Sequence, residues 1–220
     1  MIRDYLQDNI LITDGAMGTY YNQITGDDSY FSEEANLKDS SLIKQIHGEY
    51  IKAGASLIRS NTFSVNTITL NIGRNKVGRL IEQGYQIAKE AAAGKDVFVA
   101  ADIGPIPENS KNKLEISSER ILKEYRFIID KFLDAGASIF NFETFSSPEY
   151  LKALAKYIKN KQSNSFIITQ FALNIDGYTR KGISTKRIIE EVQSDRNIDV
   201  YGFNCGVGPA HLYTNLKKEY

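Results

Sequence analysis

The sequence predicts an α/β protein, a (βα)8 barrel of the TIM type in which only about six βα units are present. Three observations predict it. Short β-branched runs alternate with amphipathic helical stretches along the whole chain, which implies a parallel sheet covered by helices. The runs stop at polar or glycine-containing tips. One stretch also echoes another: Ala53-Gly54-Ala55-Ser56-Leu57-Ile58-Arg59-Ser60-Asn61-Thr62-Phe63 parallels Ala135-Gly136-Ala137-Ser138-Ile139-Phe140-Asn141-Phe142-Glu143-Thr144-Phe145. A repeated helix end, strand and polar tip suits a quasi-symmetric barrel better than an open sheet with a reversal point. Right-handed crossovers allow both closures. No G-x-G-x-x-G follows the first strand, which weakens the dinucleotide-binding version.

The elements follow in order. Ile10 to Thr13 reads as a buried strand that breaks at Asp14-Gly15-Ala16-Met17-Gly18-Thr19. A polar, irregular segment is expected through Asp39, with a turn at Gly26-Asp27-Asp28. Asp39 or Ser40 caps a helix in which Leu42, Ile43, Ile46, Tyr50 and Ile51 keep a three-to-four spacing, and Gly54 ends it. Ser56 to Ser60 is the second strand. A helix is expected from about Val77 to Ala93, with Gly78 and Gly84 weakening its regularity. Val97 to Ala101 is the third strand, ending at Asp102-Ile103-Gly104-Pro105. Ile121, Leu122, Tyr125, Ile128, Ile129, Phe132 and Leu133 form a broad apolar stripe, the clearest helix of the chain. The fourth strand, Ser138 to Phe142, stops at Glu143-Thr144-Phe145, and Ser147-Pro148 reads as N-cap and first-turn proline of the next helix. Ser165 to Phe171 is the fifth strand, Asn174-Ile175-Asp176-Gly177 a turn, Ser184 a cap for a helix through Val192, and Ile198 to Phe203 the sixth strand. No proline-rich or low-complexity linker marks an internal boundary, so residues 1–220 read as one barrel domain.

Strand starts recur at roughly 38 residues, so eight units would need about 300, against about 250 for an ordinary barrel. The chain reads as a barrel cut short, its last two βα units missing, with open sheet edges as the consequence.

Composition excludes several classes of function. The 27 basic and 27 acidic residues cancel, which leaves no footprint for nucleic acid or an anionic membrane. No apolar run approaches the roughly 20 residues of a membrane span, and the N-terminus lacks a signal-peptide core. A single cysteine excludes a disulfide framework and fits a reducing compartment, so the expected location is the cytoplasm.

In a barrel the strand tips converge on one face: Asp14-Gly15, Asn61-Thr62, Asp102, Glu143-Thr144, Gln170 and Asn204-Cys205. Carboxylates, amides, hydroxyls and one thiol could orient a zwitterionic small molecule. Each also has a plainer use. Asp14 before Gly15 serves as a turn residue, and Asp102 can shape its own turn. Asn61 and Asn204 can bond local backbone. Glu143, directly after an apolar run, needs a partner, whether a structural cation or a ligand. Cys205 alone is a small buried hydrophobe as readily as a reactive group, and a lone cysteine is a poor metal signal. His47 lies beside an apolar stripe away from the tips and reads as structural; His211, in the last helix, reads as a surface or capping residue, and a His211–Cys205 dyad would lack a third orienting group.

Several motifs together resemble the homocysteine S-methyltransferase family. They are Asp14-Gly15-Ala16-Met17-Gly18-Thr19, the run from Ile46-His47-Gly48-Glu49-Tyr50 to Ser60-Asn61-Thr62-Phe63, Ile103-Gly104-Pro105, Glu143-Thr144-Phe145, Asp176-Gly177 with Gly182, and Gly202-Phe203-Asn204-Cys205-Gly206. Their order and spacing are similar to the family's across essentially the whole chain, including the N-terminal module of cobalamin-dependent methionine synthase and a bacterial type fused to a methylenetetrahydrofolate reductase. The resemblance implies transfer of a methyl group to the thiol of homocysteine, giving methionine, on a zinc ion held by three cysteine thiolates. It maps one ligand onto Cys205, and the other two, an adjacent pair near the eighth strand, have no counterpart here. A zinc-bound thiol is held as thiolate, whereas a free one, with a pKa of about 8.5, is mostly protonated at neutral pH. The same mapping gives Glu143 the substrate ammonium, lets Asp14 and Gly15 place the amino-acid end, adds Asn61 to the substrate-binding set, and has Asn204 support the metal loop. Methylcobalamin, methyltetrahydrofolate and S-methylmethionine would all meet the same thiolate as methyl donors, the first two by way of another domain, and additional domains are expected C-terminal to this one. With one of three ligands present, the chain is expected to bind zinc weakly and to be inactive as written. Two other classes stay open: a non-catalytic barrel remnant that binds a partner, and a barrel lyase or aldolase, although no strand tip carries a Schiff-base lysine.

Overall fold

Parallel strands alternate with helices through residues 1–26, 31–109 and 115–217, which the structure, a computed structural model, describes. The chain divides into two compact units, Met1–Asp102 with Ile106–Ser138, and Ile103–Pro105 with Ile139–Tyr220. Each is taken by itself.

In the first unit the order is α1 (Ile2–Asp8), α2 (Met17–Thr25), a 3-10 turn (Ser32–Glu34), α3 (Ala35–Lys38), α4 (Ser40–Lys52), β1 (Leu57–Arg59), α5 (Arg74–Ala92), β2 (Phe98–Ile103) and α6 (Ser118–Asp134). β1 and β2 pair in parallel, with Leu57 opposite Phe98 and Arg59 opposite Ala100. The strand expected at Ile10 to Thr13 reduces to one parallel bridge, Thr13 to Leu57. Ile10 and Ile12 are exposed there. The segment expected to be irregular through Asp39 instead holds α2, the 3-10 turn and α3. Gly26 ends α2 at φ 68°, while Asp27 and Asp28 of the expected turn lie outside the described residues.

Helix α4 begins as its sequence dictates. The Asp39 carboxylate accepts from Leu42 N at 3.2 Å, and Gly54 closes the helix at φ 106°. Its inner face buries Ile43, Ile46 and His47. α5 starts earlier than its apolar spacing suggests, at Arg74, and neither Gly78 nor Gly84 interrupts it. Small residues let it lie close to the sheet: Ala88, Ala91 and Ala92 pack on Ala55 and Ile58. Tyr85 meets Phe132 of α6 edge to face at 5.9 Å.

In the second unit β3 (Ile139–Phe145), α7 (Leu151–Lys161), β4 (Phe166–Phe171), α8 (Thr185–Gln193), β5 (Val200–Phe203) and α9 (Pro209–Lys217) alternate. β3 pairs with β4 and β4 with β5, all parallel. Here β3 departs from expectation. It does not stop at Phe142 but runs on to Phe145, with a register shift between those two residues. Nor does Ser147-Pro148 open the next helix: Ser147 Oγ accepts from Glu149 N in a local turn, and α7 begins at Leu151. Ser184 caps α8 as expected, accepting from Arg187 N. Lys159 of α7 donates to Asp199 at 2.9 Å and to the Ser165 carbonyl at 2.7 Å, which ties the start of β5 to that of β4.

Candidate functional site

In the second unit the ends of β3 and β5 bring together Glu143, Thr144, Asn204 and Cys205. The Asn204 side chain joins them. Its Oδ1 accepts from Thr144 N at 2.9 Å, and its Nδ2 donates to Glu143 Oε2 at 3.1 Å and to Thr144 Oγ1 at 3.0 Å. The same Nδ2 stands 3.6 Å from Cys205 Sγ. Asn204 is itself fixed by its main chain, whose N–H continues the ladder to the Phe171 carbonyl. Glu143 is buried, and Cys205 is an exposed free thiol.

The backbone around this cluster is strained. Thr144 at φ 66° and Cys205 at φ 56° hold the left-handed conformation that costs a non-glycine residue free energy, most of all a β-branched one. Such conformations persist only where neighbours over-determine them, and they concentrate at functional sites. Both strained residues lie against the one asparagine amide. The next residue explains the glycine that follows the thiol: Gly206 has φ 71°, and a Cβ on it would lie 2.1 Å from the Leu173 carbonyl oxygen.

The first unit holds the other expected site residues. Asp14 is buried and bound to Arg59: Nε donates to Oδ1 at 2.7 Å and the Arg59 N–H to Oδ2 at 2.9 Å. The same guanidinium reaches the Asp14 carbonyl at 3.1 Å and that of Gly15 at 2.8 Å. Gly15 is pressed by Tyr50, whose hydroxyl oxygen would be 2.8 Å from a Cβ there. Asn61 lies in a closed amide network. It donates to Asn36 Oδ1 at 2.9 Å and to the Ser32 carbonyl at 2.8 Å, and accepts from Ser32 Oγ at 3.1 Å. Asn36 returns a bond to the Asn61 carbonyl at 2.7 Å. The loop after β1 is held by two further buried carboxylates, Glu33 accepting from Ser64 N and Glu124 from Thr67 N. Asp102 accepts through its carbonyl from Thr62 Oγ1 and donates its N–H to Ser60 Oγ.

Sequence reasoning passed over Arg59, Glu33, Asn36 and Glu124. Arg59 carried a signal, since a charge inside the run Leu57-Ile58-Arg59 must find a buried partner. Of the two histidines, His211 is exposed on α9, whereas His47 is fully buried in α4. Neither His47 ring nitrogen has a hydrogen-bond partner among the described residues, and burial pushes its pKa down to about 4.

Residues 11–218 match the model of the homocysteine S-methyltransferase family. The chain belongs to that family. Two curated relatives are the methionine synthases of Mycobacterium leprae, 26% identical over 96% of this chain, and Mycobacterium tuberculosis, 25% identical over 97%. The chain spans 19% of the length of each. Among solved structures, the metallated form of the homocysteine methyltransferase MmuM from Escherichia coli matches with a TM-score of 0.82 at 19% identity, covering 99% of this chain and 82% of that one. Its apo form matches with a TM-score of 0.77 at 21% identity, covering 99% and 80%. These likenesses show the fold, an α/β fold of the TIM-barrel type.

The family resemblance implies zinc, and the residues present do not fit it by themselves. Zinc sites draw three or four ligands from cysteine, histidine and carboxylate groups. Around Cys205 this chain offers one thiol. Among the described residues no group of three His, Cys, Asp or Glu side chains could hold a metal. No helix among them is long and apolar enough to cross a membrane.

Proposed function

We propose that this chain is the substrate-holding part of a methyltransferase that moves a methyl group onto the thiol of homocysteine, giving methionine. One observation carries the reading: Asn204 Nδ2 reaches both the Glu143 carboxylate, at 3.1 Å, and the Cys205 thiol, at 3.6 Å. A buried carboxylate suits an ammonium group, which it meets through short charge-assisted hydrogen bonds. In this reading Glu143 receives the homocysteine ammonium and Asn204 keeps the carboxylate and the thiol loop in register. Asp14 and Gly15 form the turn that places the amino-acid end, and Asn61 supports the same function through the loop after β1. Cys205 is one metal ligand. The others lie outside this chain's own donor set, so the chain does not turn over alone. The donor, methylcobalamin or methyltetrahydrofolate, is presented by another domain.

The test is titration of the full chain with L-homocysteine, with and without zinc, followed by calorimetry. The expected result is weak zinc-independent binding that Glu143→Gln abolishes, with no stoichiometric zinc uptake. Zinc bound stoichiometrically at micromolar affinity or better would overturn the incomplete metal site. Absence of homocysteine binding would favour a second reading, a non-catalytic remnant that binds a partner.

A further inference from the structure

We propose that Arg59 is the positioning residue for the turn that holds the amino-acid end of the substrate; this rests on the reading of Asp14-Gly15 given above. Arg59 does more than neutralise a buried acid. Its main-chain N–H and Nε take the two Asp14 carboxylate oxygens, at 2.9 and 2.7 Å, and Nη2 takes the carbonyls of residues 14 and 15, at 3.1 and 2.8 Å. The Arg59 side chain is 18% exposed and the Asp14 side chain 2%, so the pair works largely away from water.

The two carbonyl bonds matter most for the ligand. A trans peptide points its C=O and the following N–H in opposite directions. Fixing the carbonyls of Asp14 and Gly15 on the guanidinium therefore turns the N–H groups of Gly15 and Ala16 away from it. Those two amides have no hydrogen-bond partner among the described residues, and both residues are exposed. The carboxylate of Asp14 is thus a structural anion, and the turn meets a ligand with its main chain. A lysine, a single compact charge, cannot reproduce the fork by which Nε takes one carboxylate oxygen and Nη2 takes two carbonyls.

The full chain is titrated with L-homocysteine and with 3-aminopropane-1-thiol, the same molecule without its carboxylate, by ligand-observed NMR. In Arg59→Leu the affinity for homocysteine is expected to fall about tenfold or more while that for the aminothiol changes less than about twofold. Arg59→Lys, which keeps the charge and serves if the leucine variant does not fold, shows the same selective loss. Equal loss of both ligands, unchanged homocysteine affinity, or full rescue by lysine would each overturn the proposal while leaving the function intact. If the unsubstituted chain binds the aminothiol but not homocysteine, or neither, the reading of the turn fails and the proposal with it.

Discussion

Gly206 lies so close to Leu173 that a Cβ at 206 would come within 2.1 Å of the Leu173 carbonyl oxygen. The contact is with backbone, which cannot swing aside. Gly206→Ala therefore adds a steric clash to the cost of a left-handed conformation, and the expected loss is more than about 3 kcal/mol. Gly54→Ala is the control: φ is 106° but nothing lies within 4 Å, so only conformational strain, about 1–2 kcal/mol, is expected. Urea unfolding of both variants checks the difference.

Asn204→Leu should cost about 1–3 kcal/mol, because it removes the acceptor of the Thr144 N–H and a donor to the buried Glu143 carboxylate. Asn204→Asp keeps the acceptor for Thr144 but sets a second carboxylate against Glu143, so it too destabilises at neutral pH. Acidifying the solution should recover part of that loss in Asn204→Asp and none in Asn204→Leu. Thermal unfolding across pH reads the contrast.

Two glycines of one helix should respond with opposite sign. Alanine gains about 1 kcal/mol over glycine in a helix interior. At Gly78 the new Cβ would meet the flexible end of Lys131 at 3.3 Å, so Gly78→Ala is expected to stabilise. At Gly84 it would meet Asn36 Nδ2 at 2.4 Å and Thr62 Cγ2 at 2.9 Å. Gly84→Ala should destabilise by about 2 kcal/mol or more, since it pushes Asn36 off the carbonyl of Asn61. Chemical denaturation gives both signs directly.

His47 predicts an acid-side weakness. Folded, its pKa is lowered by burial to about 4 from the ordinary value of 6.5. The unfolded chain therefore takes up a proton at higher pH than the folded one. The stability of the neutral, buried ring is present in full above about pH 6.5 and drains away as pH falls toward about 4, by about 3 kcal/mol in total. His47→Met should flatten the slope of unfolding free energy between about pH 6.5 and about pH 4.5, where most carboxylates have yet to protonate.

Much of the fold was legible because it is set locally. The helix after Asp39 follows from a capping carboxylate and an apolar face, and α8 from Ser184 in the same way. What escaped depends on partners distant in sequence. The extra reach of β3 requires β4 alongside it, and the first expected strand shrank to Thr13, whose bridge partner is Leu57. The site divides similarly. Glu143, Asn204 and Cys205 stood out by type and position, and the structure joins them through one amide. Asp14 and Asn61 stood out as well, but the arginine and the second asparagine that engage them lie 45 and 25 positions away. No local pattern announces such a pairing.

The shift in β3 decides which side chains share a face of the sheet. Phe142 is opposite Thr169 and Phe145 opposite Phe171, so three steps along one strand match two along the other. Thr169 and Phe171, two apart, share a face of β4. Phe142 and Phe145 must then share one as well, and their rings meet edge to face at 6.0 Å. Strict alternation would put a residue three positions from Phe142 on the opposite face, so the extra residue absorbed by the shift is what keeps Phe145 beside it. Losing the shift while keeping the residue would part Phe145 from Phe142, so in this strand one irregular step decides which aromatic rings meet.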